Sequence, residues 1–147
     1  MNKKMVGASM LAGVVMAMLV MVYEGLFGAG FWSAPLFIAA TVLRDLQMVA
    51  VPVSFMFVPV VVGLIGHMMN SLVFSSIFFF TLRKKPVSIH KGVFLGVVHA
   101  LAIFFLMEFV LLQYIDPVML TLDSYMFAFS HIVWGAILGA AASQLNK

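Results

Sequence analysis

The chain has 147 residues, 65% of them hydrophobic and 9% charged, with a formal net charge of +3 and no cysteine. Its mean hydropathy is +1.19, whereas soluble domains carry about 25% charged residues, so the composition is that of an integral membrane protein and excludes a soluble enzyme, a disulfide scaffold and a thiolate metal site. The basic residues flank apolar segments and form no patch interleaved with aromatics, which excludes nucleic acid as a partner.

A membrane-spanning helix needs about 20 mostly apolar residues, and four segments qualify: about 5–28, 52–82, 91–114 and 124–143. The first follows Lys3 and Lys4; it is long for the apolar core of a signal peptide and lacks a small-residue cleavage pattern. Segment 31–47, with Trp32, Pro35, Arg44 and Asp45, is too short and too broken to span. It reads as an interfacial helix lying on the outer surface. After the second span come Arg83, Lys84, Lys85, Pro86, His90 and Lys91, and the chain ends at Lys147. The loop 114–123 between the third and fourth spans reads as a plain outer turn.

Lys3, Lys4, Arg83, Lys84, Lys85, Lys91 and Lys147 fall on one side of this arrangement, and Arg44 alone on the other. Glu24, Asp45, Glu108, Asp116 and Asp123 all fall in the half opposite the basic clusters. By the positive-inside rule both termini are cytoplasmic. The expected architecture is all-α: a single transmembrane domain over 1–147 with four spans, N-in and C-in, plus the outer interfacial helix.

The spans also pair with one another. Gly13-Val14-Val15-Met16-Ala17, which leads to Glu24, matches Gly96-Val97-Val98-His99-Ala100, which leads to Glu108 one residue further on. Gly66-His67 with Ser71 and Ser75 matches Ser130-His131 with Gly135 and Gly139. The pattern suggests two tandem helical hairpins related by a pseudo-twofold axis along the membrane normal, which requires His67 to land near His131 when 5–82 is superposed on 91–143.

Three histidines, His67, His99 and His131, lie near the middle of spans. A charged group at that depth costs roughly 2.5–3.5 kcal/mol on insertion scales, so such side chains face a protein interior and find a partner. At about 1.5 Å per residue, His67 and His131 lie roughly 18–22 Å from the cytoplasmic boundary and His99 about 12 Å, level with Met16. The expected layers are His67 and His131 with Asn70, then His99 with Met16, with Glu24 and Glu108 outermost.

Three kinds of chemistry suit this set. Two imidazoles across a four-helix bundle, or an imidazole and a thioether, are axial pairs for haem iron. Imidazole and thioether also suit copper, and the chain has 13 methionines. A proton or quinone site would use histidine with Glu24 or Glu108 as a proton path. Against all three stands a plain helix–helix hydrogen bond, worth about 0.6–2 kcal/mol in membranes. No H-E-x-x-H, G-x-S-x-G or Walker sequence is present, so no catalytic activity of its own is expected.

The run Gly63, Gly66-His67-Met68 and Ser71, then Gly92 and Gly96, then Ser130-His131-Ile132-Val133-Trp134-Gly135 and Gly139, resembles a group of small, mostly uncharacterised bacterial four-helix membrane proteins. A fainter likeness extends to a bacterial inner-membrane family linked to acid resistance. The resemblance covers roughly 60–142 and implies a four-helix fold in the bacterial inner membrane, without implying an activity. Two functions fit these observations. One is an accessory subunit of a larger membrane assembly such as a respiratory complex, holding a haem or metal and using its small-residue ridges as partner faces. The other is a freestanding oligomer that moves protons, metal ions or a small solute past the histidines.

Overall fold

The computed structural model describes residues 3–82 and 87–145. Among them the chain is helical throughout its ordered elements: α1 (Lys3–Phe27), α2 (Ser33–Ala40), α3 (Phe57–Thr81), α4 (Ile89–Leu106), α5 (Leu112–Ile115) and α6 (Ser124–Leu145). Short 3-10 turns cover Arg44–Met48 and Pro117–Thr121. A π turn, Met107–Leu111, joins α4 to α5 into one continuous span. Among the described residues, four helical stretches are long and apolar enough to cross a membrane: Lys3–Phe27, Phe57–Thr81, Ile89–Ile115 and Ser124–Gln144. The protein is an all-α, multi-pass membrane protein.

Lys3, Lys4 and Lys91 lie at the N-terminal ends of the parallel helices α1 and α4, and Arg44 lies at the opposite end, where it donates to the Ile115 carbonyl. The end holding Arg44 is called outer here, following the charge asymmetry. Arg83, Lys84, Lys85 and Lys147, which also carry that asymmetry, lie outside the described residues.

The second span begins at Phe57 rather than near 52. Residues 51 and 52 bend and 53–56 run without helix, and the Val53 amide donates to the Ala29 carbonyl at 2.8 Å. This strap leaves α1 through Gly30, whose φ of +107° lies in the left-handed region that glycine tolerates. Pro59 falls within the first turn of α3, where a missing N–H costs no helical bond.

In the segment expected to lie on the outer surface, Thr41, Val42, Arg44 and Asp45 are exposed but the helix itself is packed into the protein. Its helix is the eight-residue α2, with Leu36 and Phe37 fully buried and Ser33, Ala34, Pro35, Ala39 and Ala40 buried around them. It lies against α3, where a Cβ on Gly63 would fall 1.7 Å from the Pro35 carbonyl oxygen and one on Gly66 would fall 3.2 Å from Ile38. Glycine lets the two backbones meet. A helix buried on every side has no amphipathic stripe, so 31–47 carries no pattern that marks it as core.

The most extensive helix contact is α4 against α6. Gly92 faces Gly139, and Gly96 faces Gly135, with a Cβ on Gly96 placed only 2.0 Å from the Gly135 carbonyl oxygen. Backbones this near gain dispersion and Cα–H···O contacts. The first hairpin repeats the contact in weaker form: Gly13 faces Ser71, whose Oγ would lie 2.9 Å from an added Cβ. These are the pairs that the tandem-hairpin alignment matches. The one-residue slip between the two Gly-to-Glu spacings falls at the π turn, where Leu112 N–H donates to the Met107 carbonyl and Glu108 is buried.

The expected tandem-hairpin symmetry fails at one helix pair. A twofold exchanging α1 with α4 and α3 with α6 would make α3–α4 the counterpart of α1–α6. The α1–α6 pair packs closely, as do α4–α6, α2–α3 and α1–α3, whereas α3 and α4 are not among the closely packed pairs. Two apolar clusters fill the bundle, an outer one around Leu36, Phe37, Val60 and Met119 and an inner one around Ala12, Phe78, Trp134 and Leu138.

Candidate functional site

Between the two clusters lies a cavity of about 100 Å³. His67 and His131 both line it, with Met16 and Asn70 beside them and Thr41 and Asp116 toward the outer end. The expected upper layer of His67, His131 and Asn70 is therefore assembled. Met16 joins that layer rather than pairing with His99, because counting rise along straight helices ignores which face each residue presents.

Each of the three histidines within spans makes one hydrogen bond to a backbone carbonyl. His67 Nε2 lies 2.9 Å from the Gly13 oxygen, His131 Nδ1 lies 2.8 Å from that of Phe127, and His99 Nε2 lies 3.1 Å from that of Phe74. A carbonyl only accepts, so these ring nitrogens carry the proton and donate. In the neutral imidazole the other nitrogen, Nδ1 of His67 and Nε2 of His131, is then an acceptor.

His99 is not part of the cavity wall. Its ring stacks on Trp134 at 6.1 Å between centroids and lies 5.3 Å from Phe78, and its bond to Phe74 ties α4 to α3. Next to it, Trp134 Nε1 donates to Ser71 Oγ at 2.9 Å and Ser71 Oγ donates to the Ser9 carbonyl at 2.9 Å. These contacts link α3, α4, α6 and α1 and form the floor of the cavity.

Glu24 and Glu108 also lie away from the cavity. Both carboxylates converge on the start of α6: Glu24 accepts from the Asp123 amide at 2.9 Å and from the Ala29 amide at 2.8 Å, and Glu108 accepts from Ser124 Oγ at 2.5 Å. Asp123 caps the helix by accepting from the Met126 amide at 2.7 Å. Acidic groups at a helix N-terminus are favoured by its exposed N–H groups and dipole. Glu24, Glu108 and His99, expected to share a path with His67 and His131, are not among the residues that line the cavity.

The loop after α5 is more than a turn. Asp116 is 1% exposed and accepts from Thr41 Oγ1 at 2.7 Å and from Gln47 Nε2. Gln47 in turn accepts from the Val118 amide at 3.2 Å. Burial raises the Asp116 carboxyl above its ordinary value, and the hydrogen bonds from Thr41 and Gln47 and the charge of Arg44 pull it part of the way back. Asp116-Pro117 reads as turn chemistry, and its partners lie about seventy residues away, so sequence gives no local sign of this lock.

Haem does not fit. Cofactor sites occupy roughly 300–1,000 Å³, several times this volume. Among the described residues no three His, Asp or Glu side chains are grouped to hold a metal ion, and the expected set of His67, His131 and His99 is divided by the position of His99. His67 and His131 with the Met16, Met107 and Met119 thioethers remain as donors soft enough for Cu(I), on a wall that is otherwise largely apolar with Asn70, Thr41 and Asp116 as its polar groups. No known protein family, curated protein or solved structure matches this chain.

Proposed function

We propose that this small multi-pass membrane protein binds one small hydrogen-bonding solute between His67 and His131, and that it belongs to the transporter class. The supporting observation is the convergence of two imidazoles on one cavity, each with one nitrogen bonded to a carbonyl and the other left to accept. At about 30 Å³ per water, the cavity has room for about three waters or for a ligand group of a few heavy atoms. Thr41 and Asp116 close its outer end, and the bonds from Trp134 and His99 close its inner side.

The accessory-subunit reading, the first of the two that the sequence offers, drew in part on the small-residue ridges as partner faces. Gly92, Gly96, Gly135 and Gly139 face one another within the chain, and Gly63 and Gly66 face α2, which removes that support. The resemblance of 60–142 to bacterial four-helix proteins, with the cation distribution, supports placement in the bacterial inner membrane.

Native mass spectrometry of protein released gently from its membrane tests the proposal. The wild type should carry a small-molecule adduct, and His67→Ala and His131→Ala should each lose it, with no further loss in the double variant. Identical adducts in all four proteins, with additive losses of thermal stability, would leave the histidines as packing residues. Metal analysis of the same samples reads the copper alternative directly.

A further inference from the structure

Asn70 is the residue the fold leaves unexplained. It lies near the middle of α3, thirteen residues after Phe57 and eleven before Thr81. It is exposed and also lines the cavity. Among the described residues no hydrogen bond engages its amide. An amide left unpaired in hydrocarbon is costly, so its position calls for a partner that arrives from the bilayer side.

The opening lies where the pseudosymmetry fails. Asn70 and Phe74 on α3 line the cavity with Ile103 on α4 and Met107 in the π turn after it, and the backbones of α3 and α4 stay further apart than those of α1 and α6, the two helices meeting below the cavity through His99 and Phe74. A ligand entering there would come from the lipid. Its polar head also has a defined chemistry. Both histidine N–H groups are already donated to carbonyls, so the remaining ring nitrogens of the neutral imidazoles can only accept. A head built of carbonyls alone leaves them unpaired. A hydroxyl can donate to a histidine and accept from the Asn70 amide at the same time.

We infer that the ligand is a hydroxyl-bearing amphiphile whose small head enters the His67–His131 cavity from the bilayer past Asn70, leaving its apolar tail between α3 and α4. This inference rests on the cavity being a ligand site, as proposed above.

The full chain in phosphatidylcholine nanodiscs, with ring nitrogens labelled, can be titrated with decan-1-ol, decane, decan-2-one and glycerol. Decan-1-ol should shift the His67 and His131 ring signals saturably, and decane and decan-2-one should leave them in place. A decanol carrying a photoreactive group beside its hydroxyl should label Phe74, Ile103 or Met107. Asn70→Leu, which suits a membrane helix, should bind decan-1-ol about tenfold more weakly, the loss of one hydrogen bond. Glycerol acting as well as decan-1-ol, with no labelling between α3 and α4, would make the ligand a solute from water and overturn the inference while the cavity remains a binding site. Equal shifts by decane, or conversion of an oligomer to a monomer by Asn70→Leu, would overturn it too. Absence of any adduct in the native spectra, with additive histidine variants, would remove the underlying proposal as well.

Discussion

Gly96→Ala measures how much the α4–α6 contact holds the bundle. The new Cβ would lie 2.0 Å from the Gly135 carbonyl oxygen and 3.0 Å from the Gly139 amide nitrogen, whereas ordinary contact begins at 3.4 Å, so the helices must separate by about 1.4 Å. The atoms it meets are backbone, which cannot rotate away as a side chain can. Overpacking of this kind costs about 1–3 kcal/mol, to which the loss of Cα–H···O contacts adds about 0.5–1 kcal/mol each. The better helix propensity of alanine offsets about 1 kcal/mol. The net expectation is a destabilisation of about 1–3 kcal/mol, read by unfolding in mixed micelles of rising SDS content. Gly7→Ala is the control, since nothing lies within 4 Å of a Cβ there, and it should be neutral or slightly stabilising. Gly96→Ala behaving like Gly7→Ala would refute the close contact. Gly96→Ala should also weaken binding at His131, because α6 carries that residue and would move with the contact.

Two further substitutions read the outer end. The folded state holds the Asp116 proton more tightly than the unfolded chain, so this group stabilises the fold below the ordinary carboxyl value of 3.8, and that contribution is lost as pH rises through the raised value. Asp116→Asn should remove that decline from the thermal-stability profile, and an unchanged profile would place the pH dependence elsewhere. Glu24→Gln offers one acceptor oxygen where two amides, Ala29 and Asp123, now donate. One buried N–H is left facing an NH₂ group at a cost of about 1–3 kcal/mol. Hydrogen exchange should quicken at Ala29 or Asp123, and protection equal to wild type at both would show that the carboxylate does not hold the start of α6.

The parts of this molecule that sequence makes legible are those dictated by the bilayer. The four spans announce themselves because hydrocarbon thickness sets a minimum apolar length, and His67 and His131 are conspicuous because ionisable groups are rare at that depth. The small residues recurring every four positions mark close-packing ridges, but that Gly92 meets Gly139 and Gly96 meets Gly135 within the chain, rather than a partner subunit, is not written in the spacing. What depends on facing rather than on length is not legible. Met16 and His99 are level by residue count, yet one lines the cavity and the other packs beneath it against Trp134 and Phe78. The α2 segment resembles an interfacial helix because Trp32, Arg44 and Asp45 bracket it, although its own eight residues are small or apolar on every face. Asp116 is invisible as a buried group because Thr41 and Gln47 reach it only once α2 has docked.

The brevity of α2 bears on how the protein is made. Eight residues of helix are about 12 Å long, far short of a bilayer core of about 30 Å, so α2 cannot be handed to the membrane as a span. Its resting place is the groove over Gly63 and Gly66, which belongs to a helix synthesised later. The strap through Val53 and the Arg44–Met48 turn must therefore wait, with α2, until α3 has been threaded into the bilayer. Biogenesis runs out of chain order: α1 first, α3 second, and only then the segment between them.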